Sequence, residues 1–575
     1  MINRENVAER IGSTARLQIS DRQHSSSRRG FLAGIPGAAA VTLASTALPL
    51  TGTARADVVD SSAASRVQES YEIREEAARE DSKIPAPRQV TNGDEQTPGL
   101  KFIGNFSKGL PHNPVGEVDP NAYFAFLNAA RQGTAAAFEA VPLGGKGPDA
   151  VKLVNPLAGM AFDLEGIDSH QFAIPPFPSV TSRELADQAV ELYWMALCRD
   201  VNFTTYGSDP LVQAAAAELS SLQKFKGPKS GGLVTPQTLF RGFTAGDVIG
   251  PYVSQFLLRP FNYGPYAMSG TMNMYKAGAD YLTDQTSWLN CQNGQGPFLP
   301  NMLEAAPRFT CTGRDLTVYV HTDPNAGLLI SFYNAGIWLF QQNAPLNRGN
   351  PYTKYKTQAG FATFGVPHFL GLLGEAKQRA CKAAWYAKWF VLRALRPEAY
   401  GGLVHMKKMH QQLDYPLDRD VLNSAAADRV FKKYHSYFLP QTFPEGSPQH
   451  PSYPQGHATM AGACATILKA AFDGGIQFNM LSNGDIVTAD GDGLVSYTGP
   501  DAEQVTLNGE IDKLASNIGQ ARDFAGLHWR SDYEWGLRLG EAVAISLLRD
   551  QNNDYAGEDF EGFEITTFDG KGITV

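Results

Sequence analysis

The stretch that most limits how this chain can fold is ATMAGACATILKAA, residues 458–471. It is helix-forming and dominated by Ala and other small residues. Such a helix has little apolar bulk of its own, so it is stable only where neighbouring helices come close enough to bury it. That requirement points to a densely packed helical protein. Thr181-x-x-Glu184 has the pattern of a capping box, and the helix after it places Leu185, Ala189, Leu192 and Ala196 on one stripe. Residues 376–396 read as another strong helix, stopped by Pro397, and 531–549 as a late one. Strand patterns are weak and short, and no internal repeat of roughly 20–50 residues is present. The expected fold class is all-α, with long Gly/Pro-rich loops supplied by 56 Gly and 35 Pro.

With 49 Lys+Arg against 58 Asp+Glu, the 575-residue chain has a formal charge of −9. That balance excludes nucleic-acid binding through bulk positive charge. A hydrophobic share of 43% excludes a disordered chain. Five Cys exclude a disulfide-dense scaffold. Cys381 and Cys464 fall inside helical segments and read as buried small residues. Cys291 and Cys311 lie in loop-rich sequence and could pair after export, leaving Cys198 over.

The first 56 residues read as an address. SSSRRGFLAG at 25–34 carries Arg28 and Arg29 before Phe31-Leu32, a small-residue apolar run follows, and Ala54-Arg55-Ala56 is an A-x-A cleavage site. This is a twin-arginine signal, and its removal takes seven Arg and three acids, leaving −13. No later run is apolar and long enough to span a membrane. Export to the periplasm or beyond is expected, without a membrane anchor. Residues 57–100 read as a polar N-terminal arm and 101–575 as the helical domain.

Three segments carry cations and histidines where a core helix would not want them. In the first, Trp385 and Lys388 are i,i+3 neighbours on one helix face, and Arg396 lies about 12 Å further along the axis and roughly 80° round. A buried Lys there needs an anion, although a Lys snorkelling to the surface would not. The second segment, His450 to Met460, uses Pro451, Pro454 and Gly456 to lead an extended approach into a helix N-terminus. Free N–H groups at such an end bind anions, and His457 placed there could do acid/base work. A plain Pro/Gly connector would look similar. In the third, Arg522 and His528 would sit about 240° apart on one continuous helix. Serving one site requires a bend, which Gly526 permits. Asp532 is i+4 from His528. A basic helix face is the alternative. Taken together, the segments supply Lys, Arg, Arg, a helix N-terminus and two His, a set suited to a tetrahedral oxyanion.

KWFVLRALRP, HPSYPQGHATMAG and ARDFAGLHWRSD resemble the three signature blocks of the vanadium-dependent haloperoxidases, whose wider superfamily includes type 2 phosphatidic acid phosphatases. The spacing Arg522-(five)-His528-(three)-Asp532 matches the last block. Seven residues lie between Lys388 and Arg396, against about six in the wider pattern, which resembles the algal bromoperoxidase branch. RPEAYGG and GRDLTVYVHTDP are similar to that branch too, so the resemblance spans at least residues 313–545. It implies a fold with two four-helix bundles, often oligomeric, and one vanadate per chain. By resemblance His528 binds vanadium, while Lys388, Arg396, Arg522 and the Gly456 N–H hold the vanadate oxygens. His457 takes a proton from peroxide, and Trp385 and His450 border the halide. His450 stands where bromoperoxidases have His, which implies a bromide preference. Asp323 pairs with one of the arginines, and Asp532 orients His528.

Two positions depart from the pattern. Gln455 replaces the Ser that normally hydrogen-bonds an equatorial vanadate oxygen, and Ala521 replaces the Ser before the second Arg. The Gln amide could still donate or could turn away. The resemblance implies oxidation of halide by hydrogen peroxide to hypohalous acid, which halogenates small organic acceptors, with Lys388 polarising the peroxide and no change of metal oxidation state. The rivals are phosphate-ester hydrolysis through His528 at the same cage, and a non-catalytic homologue made inactive by Gln455.

Overall fold

Small residues let two helices meet backbone to backbone, and this happens at the centre of the protein. The computed structural model describes residues 60–321, 327–410, 412–491, 493–555 and 558–575. In chain order, the helices that frame the site are α1 (Arg183–Cys198), α2 (Val366–Tyr386), α3 (Pro397–Met409), α4 (Gly456–Ala471), α5 (Leu507–Phe524) and α6 (Arg530–Gln551). A Cβ added to Gly540 of α6 would lie 1.9 Å from the Thr459 carbonyl of α4, and one on Gly462 of α4 would lie 2.2 Å from the Leu537 carbonyl of α6. No side chain fits at these crossings, so the small-residue stretch is the central helix, with α2, α5 and α6 all packed on it. Among the described residues, β-structure is limited to two-stranded antiparallel pairs such as Val487–Asp490 with Gly493–Ser496, in the register Val487↔Ser496. The all-α expectation holds.

Local signals were read with shifts. The α1 cap is Ser182, whose hydroxyl accepts the Leu185 N–H (3.2 Å), and not Thr181. Glu184, the other half of the expected box, is drawn to Lys226 (2.6 Å). The stripe Leu185, Ala189, Leu192 and Ala196 is buried as expected, but so are Asp187, Gln188 and Glu191, because α1 is surrounded on all sides.

The helix expected over 376–396 begins at Val366 and does not reach Pro397. After Tyr386 it widens into a π turn over Ala387–Leu392 and ends at Arg393 in the left-handed region, φ 37°. The Phe106 N–H captures the Arg393 carbonyl there (2.8 Å). Pro397 then opens α3 as its first residue, where its fixed φ suits a helix start. Lys388 and Arg396 therefore do not share one helix.

All five cysteines are free. Cys291 donates to the Glu445 carbonyl (3.0 Å) and Cys311 to Asp315 (3.4 Å), so the pairing considered for these two does not form. Among the described residues no helix is long and apolar enough to cross a membrane. The 1–56 signal lies outside the described residues. Helix Asp60–Ser82 belongs to a separate unit that ends at Pro85, and the main unit runs from Ala86 to Val575. Within the main unit Glu95 ion-pairs with Arg393 (2.7 Å).

Candidate active site

Two turns and one backbone hydrogen bond bring the three sequence segments together. After the turn at Arg393, residues 394–396 run across the start of the His450 segment, the Ala394 carbonyl taking the Ser452 N–H (3.0 Å) and Arg396 gripping the His450 carbonyl. The Gln455 N–H donates to the Asp532 carbonyl (2.9 Å), which docks the start of α4 on the first turn of α6. Gly526, φ 83°, reverses the chain after α5 so that Arg522 and His528 face one place, the bend their spacing required. Lys388, Arg396, Gln455, Asp532 and His528 are essentially fully buried, and Arg522 and His450 nearly so. Trp385 and His457 are half-buried.

Arg396 uses all five of its N–H donors. Nε and Nη2 donate to the His450 carbonyl (3.0 and 2.8 Å), Nη2 also meets His450 Nδ1 (3.0 Å), and Nη1 reaches the Leu527 carbonyl (3.0 Å) and His528 Nε2 (2.8 Å). Lys388 Nζ donates to the Pro451 and Ser452 carbonyls (2.7 and 2.5 Å). Arg522 donates through Nη1 to the Val320 carbonyl (3.0 Å), while its buried Nε has no partner among the described residues. Neutral atoms hold all three cations. Among the described residues none of the three forms an ion pair with a carboxylate, and Asp532 is hydrogen-bonded to His528 instead (2.7 Å).

The titration shifts follow from this imbalance. Burial, then Arg396, drives Lys388 well below the ordinary lysine range. Burial, then Arg522, pulls Arg396 down to about 9, and burial pulls Arg522 down to about 10. His450, His457 and His528 are each pushed well below the usual histidine value, by burial first and then by the cations. All three rings are neutral at neutral pH. Burial pushes Asp532 up to about 6 against the Ser452 hydroxyl and the cations. A guanidinium only donates, so its approach to His528 Nε2 leaves that nitrogen bare of hydrogen. The His457 ring hydrogen-bonds none of the described residues, an arrangement compatible with proton exchange.

Trp385 closes the cage on its outer side. Its ring tilts over His450 with centroids 4.8 Å apart, its N–H is held by the Val154 carbonyl (3.1 Å), and Lys388 Nζ lies 6.0 Å from its centre. A Cβ on Gly456 would fall 2.8 Å from that ring, so only glycine fits at the start of α4. The Gln455 amide donates to the Gly519 carbonyl of α5 (3.1 Å), leaves its own oxygen unpartnered, and makes no cap to α4. The uncapped helix end still offers its N–H groups to an anion. Asp323 lies outside the described residues.

A family model described as the VCPO second helical-bundle domain matches residues 368–555. The vanadium-dependent bromoperoxidase of Ascophyllum nodosum is 36% identical over 84% of this chain and 88% of its own length. The chain belongs to the vanadium-dependent bromoperoxidases. The Corallina officinalis bromoperoxidase is 33% identical over 89% of this chain and 98% of that protein. The homohexameric second vanadate-dependent bromoperoxidase of Ascophyllum nodosum superposes with a TM-score of 0.84 at 30% identity, covering 92% of this chain and 94% of the other. The donor set suits the cofactor in the family's name: among the described residues three cations lack carboxylate partners and Arg522 Nε is unpartnered, which matches an oxyanion, and an imidazole nitrogen bare of hydrogen matches a metal.

One residue of the cage gives no signal in the sequence. Ser452 donates to Asp532 Oδ2 (2.5 Å) and accepts Lys388 on its carbonyl (2.5 Å). It stands inside the HPSYPQGH block, but a hydroxyl in an extended Pro-bounded segment gives no signal of its target until the fold brings α6 beside it.

Proposed function

We propose that this chain uses hydrogen peroxide to oxidise bromide to hypobromous acid, which brominates small organic acceptors, at one vanadate per chain. The observation that carries this reading is the buried cage: Lys388, Arg396 and Arg522 without carboxylate partners, around the bare Nε2 of His528. His528 would ligate vanadium, and the three cations with the Gly456 N–H would hold the oxygens. Vanadate supplies a Lewis acid that activates peroxide without changing its own oxidation state. His457, kept neutral by burial and by Arg522, takes the peroxide proton on a ring nitrogen. Lys388 then polarises the peroxide oxygen that bromide attacks. The sum is bromide, hydrogen peroxide and one proton going to hypobromous acid and water. Trp385 and the neutral His450 ring form an apolar, donor-bearing wall suited to a weakly hydrated halide.

The homohexameric structural relative supports a homo-oligomer. The paired Arg28-Arg29 and Ala54-Arg55-Ala56 support twin-arginine export with cleavage after Ala56, which N-terminal sequencing of the secreted protein would reveal. The decisive assay incubates purified protein with vanadate, peroxide, bromide and a phenol-red-type dye. Dye bromination that requires all three is expected. Vanadate-sensitive turnover of nitrophenyl phosphate without bromination would make it a phosphatase instead, and neither activity would mean a dead site.

A further inference from the structure

Ser452 spends every polar atom it owns on a different part of the site. Its N–H donates to the Ala394 carbonyl (3.0 Å), two residues before Arg396. Its carbonyl takes the Lys388 ammonium (2.5 Å), and its hydroxyl reaches Asp532 Oδ2 (2.5 Å). It is fully buried, between Pro451 and Tyr453.

An ionised carboxylate only accepts hydrogen bonds. Asp532 Oδ2 takes three: the Ser452 hydroxyl, His528 Nδ1–H (2.7 Å) and the Trp529 N–H (3.2 Å). Oδ1 takes none. Loading one oxygen fixes the rotation of the carboxylate. The Ser452–His528 contact is longer, 3.4 Å, so the hydroxyl hydrogen goes to Asp532 and not to the ring. Nδ1 must then carry the imidazole hydrogen, and Nε2 is left as the bare nitrogen that Arg396 meets at 2.8 Å.

We propose that Ser452 is a positioning residue of the vanadate site: through Asp532 it holds His528 in the tautomer and orientation that present Nε2 to the metal. This rests on the functional reading above. Without the hydroxyl, Oδ1 and Oδ2 compete for the remaining donors, the carboxylate turns, and the imidazole turns with it.

The test compares full-length wild type, Ser452→Ala and Ser452→Thr. Vanadium per chain is measured after dialysis, vanadate affinity by titrating the metal-stripped protein, and the His528 tautomer from ring nitrogen shifts after selective histidine labelling. Ser452→Ala is expected to weaken vanadate binding roughly 10–100-fold, the usual effect of removing such an outer partner. It should also mix the tautomers at His528, and Ser452→Thr should restore both. Unchanged affinity and a single tautomer in Ser452→Ala would overturn the inference and leave the functional reading standing. Equal losses in the Ala and Thr variants, together with lower melting temperatures, would reduce Ser452 to packing and overturn it as well. A wild-type chain that holds no vanadate would overturn both readings.

Discussion

Two buried clusters of charge, one at each end of α4, are built to opposite rules. Near the start of α4, Lys388, Arg396 and Arg522 are held only by carbonyls and imidazoles. Near its end, Lys469 of α4 pairs with Asp512 of α5 (2.6 Å), approaches Glu541 of α6 (3.9 Å), and sits 4.0 Å from the centre of the Phe568 ring. The second cluster contains its own counter-charges, as a structural one must. The first sets three cations against the single carboxylate of Asp532, with no ion pair to it from any of the three among the described residues, which is the mark of a site that takes its counter-ion from outside. The second cluster is drawn from α4, α5 and α6 alone, whereas the first takes Lys388 from the turn after α2 and Arg396 from the start of α3.

The largest effect should come from His528→Ala. It removes the cage's only proposed bond to the metal, so purified protein should retain no vanadium after dialysis and show no bromination, while circular dichroism stays native. Stoichiometric vanadium in that variant would break the comparison at its root. Lys469→Met leaves two buried carboxylates without their cation and should cost about 3–5 kcal/mol in denaturant unfolding. The matched change in the cage, Lys388→Met in vanadate-free protein, should cost less than Lys469→Met, because it removes one of three crowded buried cations that share the single carboxylate of Asp532. Equal costs for the two would mean that the cage is balanced after all.

A pH series sharpens the same contrast. Burial pushes Glu541 up to about 7, above its unfolded value of 4.5. A raised native pKa favours the protonated carboxyl, so its stabilising contribution is complete below the unfolded value and is lost as pH rises through about 7. Glu541→Gln should therefore gain stability relative to wild type between pH 5 and pH 8, by about 2–3 kcal/mol; a gap that stays flat with pH would show that Lys469 keeps Glu541 ionised throughout. The smallest effect is expected from Gln455→Ser. The variant loses the bond to the Gly519 carbonyl, worth about 1 kcal/mol of stability, and gains a short hydroxyl at the uncapped start of α4. Vanadate should bind roughly tenfold tighter, with a slightly lower melting temperature. Weaker binding would identify Gln455 as a ligand in its own right.

The helical class was legible because close helix contact leaves a compositional trace: nothing larger than Gly fits at residues 462 and 540. Most of the site was legible because its residues fall in three dense blocks. The wide turn after Tyr386 was not, since AKWFVL contains no breaker and the capture of Arg393 by Phe106 is made across the fold. The α1 cap was misplaced by one residue because Thr181 and Ser182 offer the same chemistry, and the tertiary pull of Lys226 on Glu184 decides between them. The direction of the Gln455 amide was equally hidden, because its acceptor lies 64 residues away on α5.

A helical turn closed by i→i+5 bonds holds one residue more than an ordinary turn. Lys388 stands near the start of the wide turn and Arg396 beyond its end, so a residue can enter or leave between them while α2 and α3 stay where they are. That stretch behaves as an expansion joint: the distance between the two charges is held by the carbonyls they grip, and the number of residues joining them is free to drift.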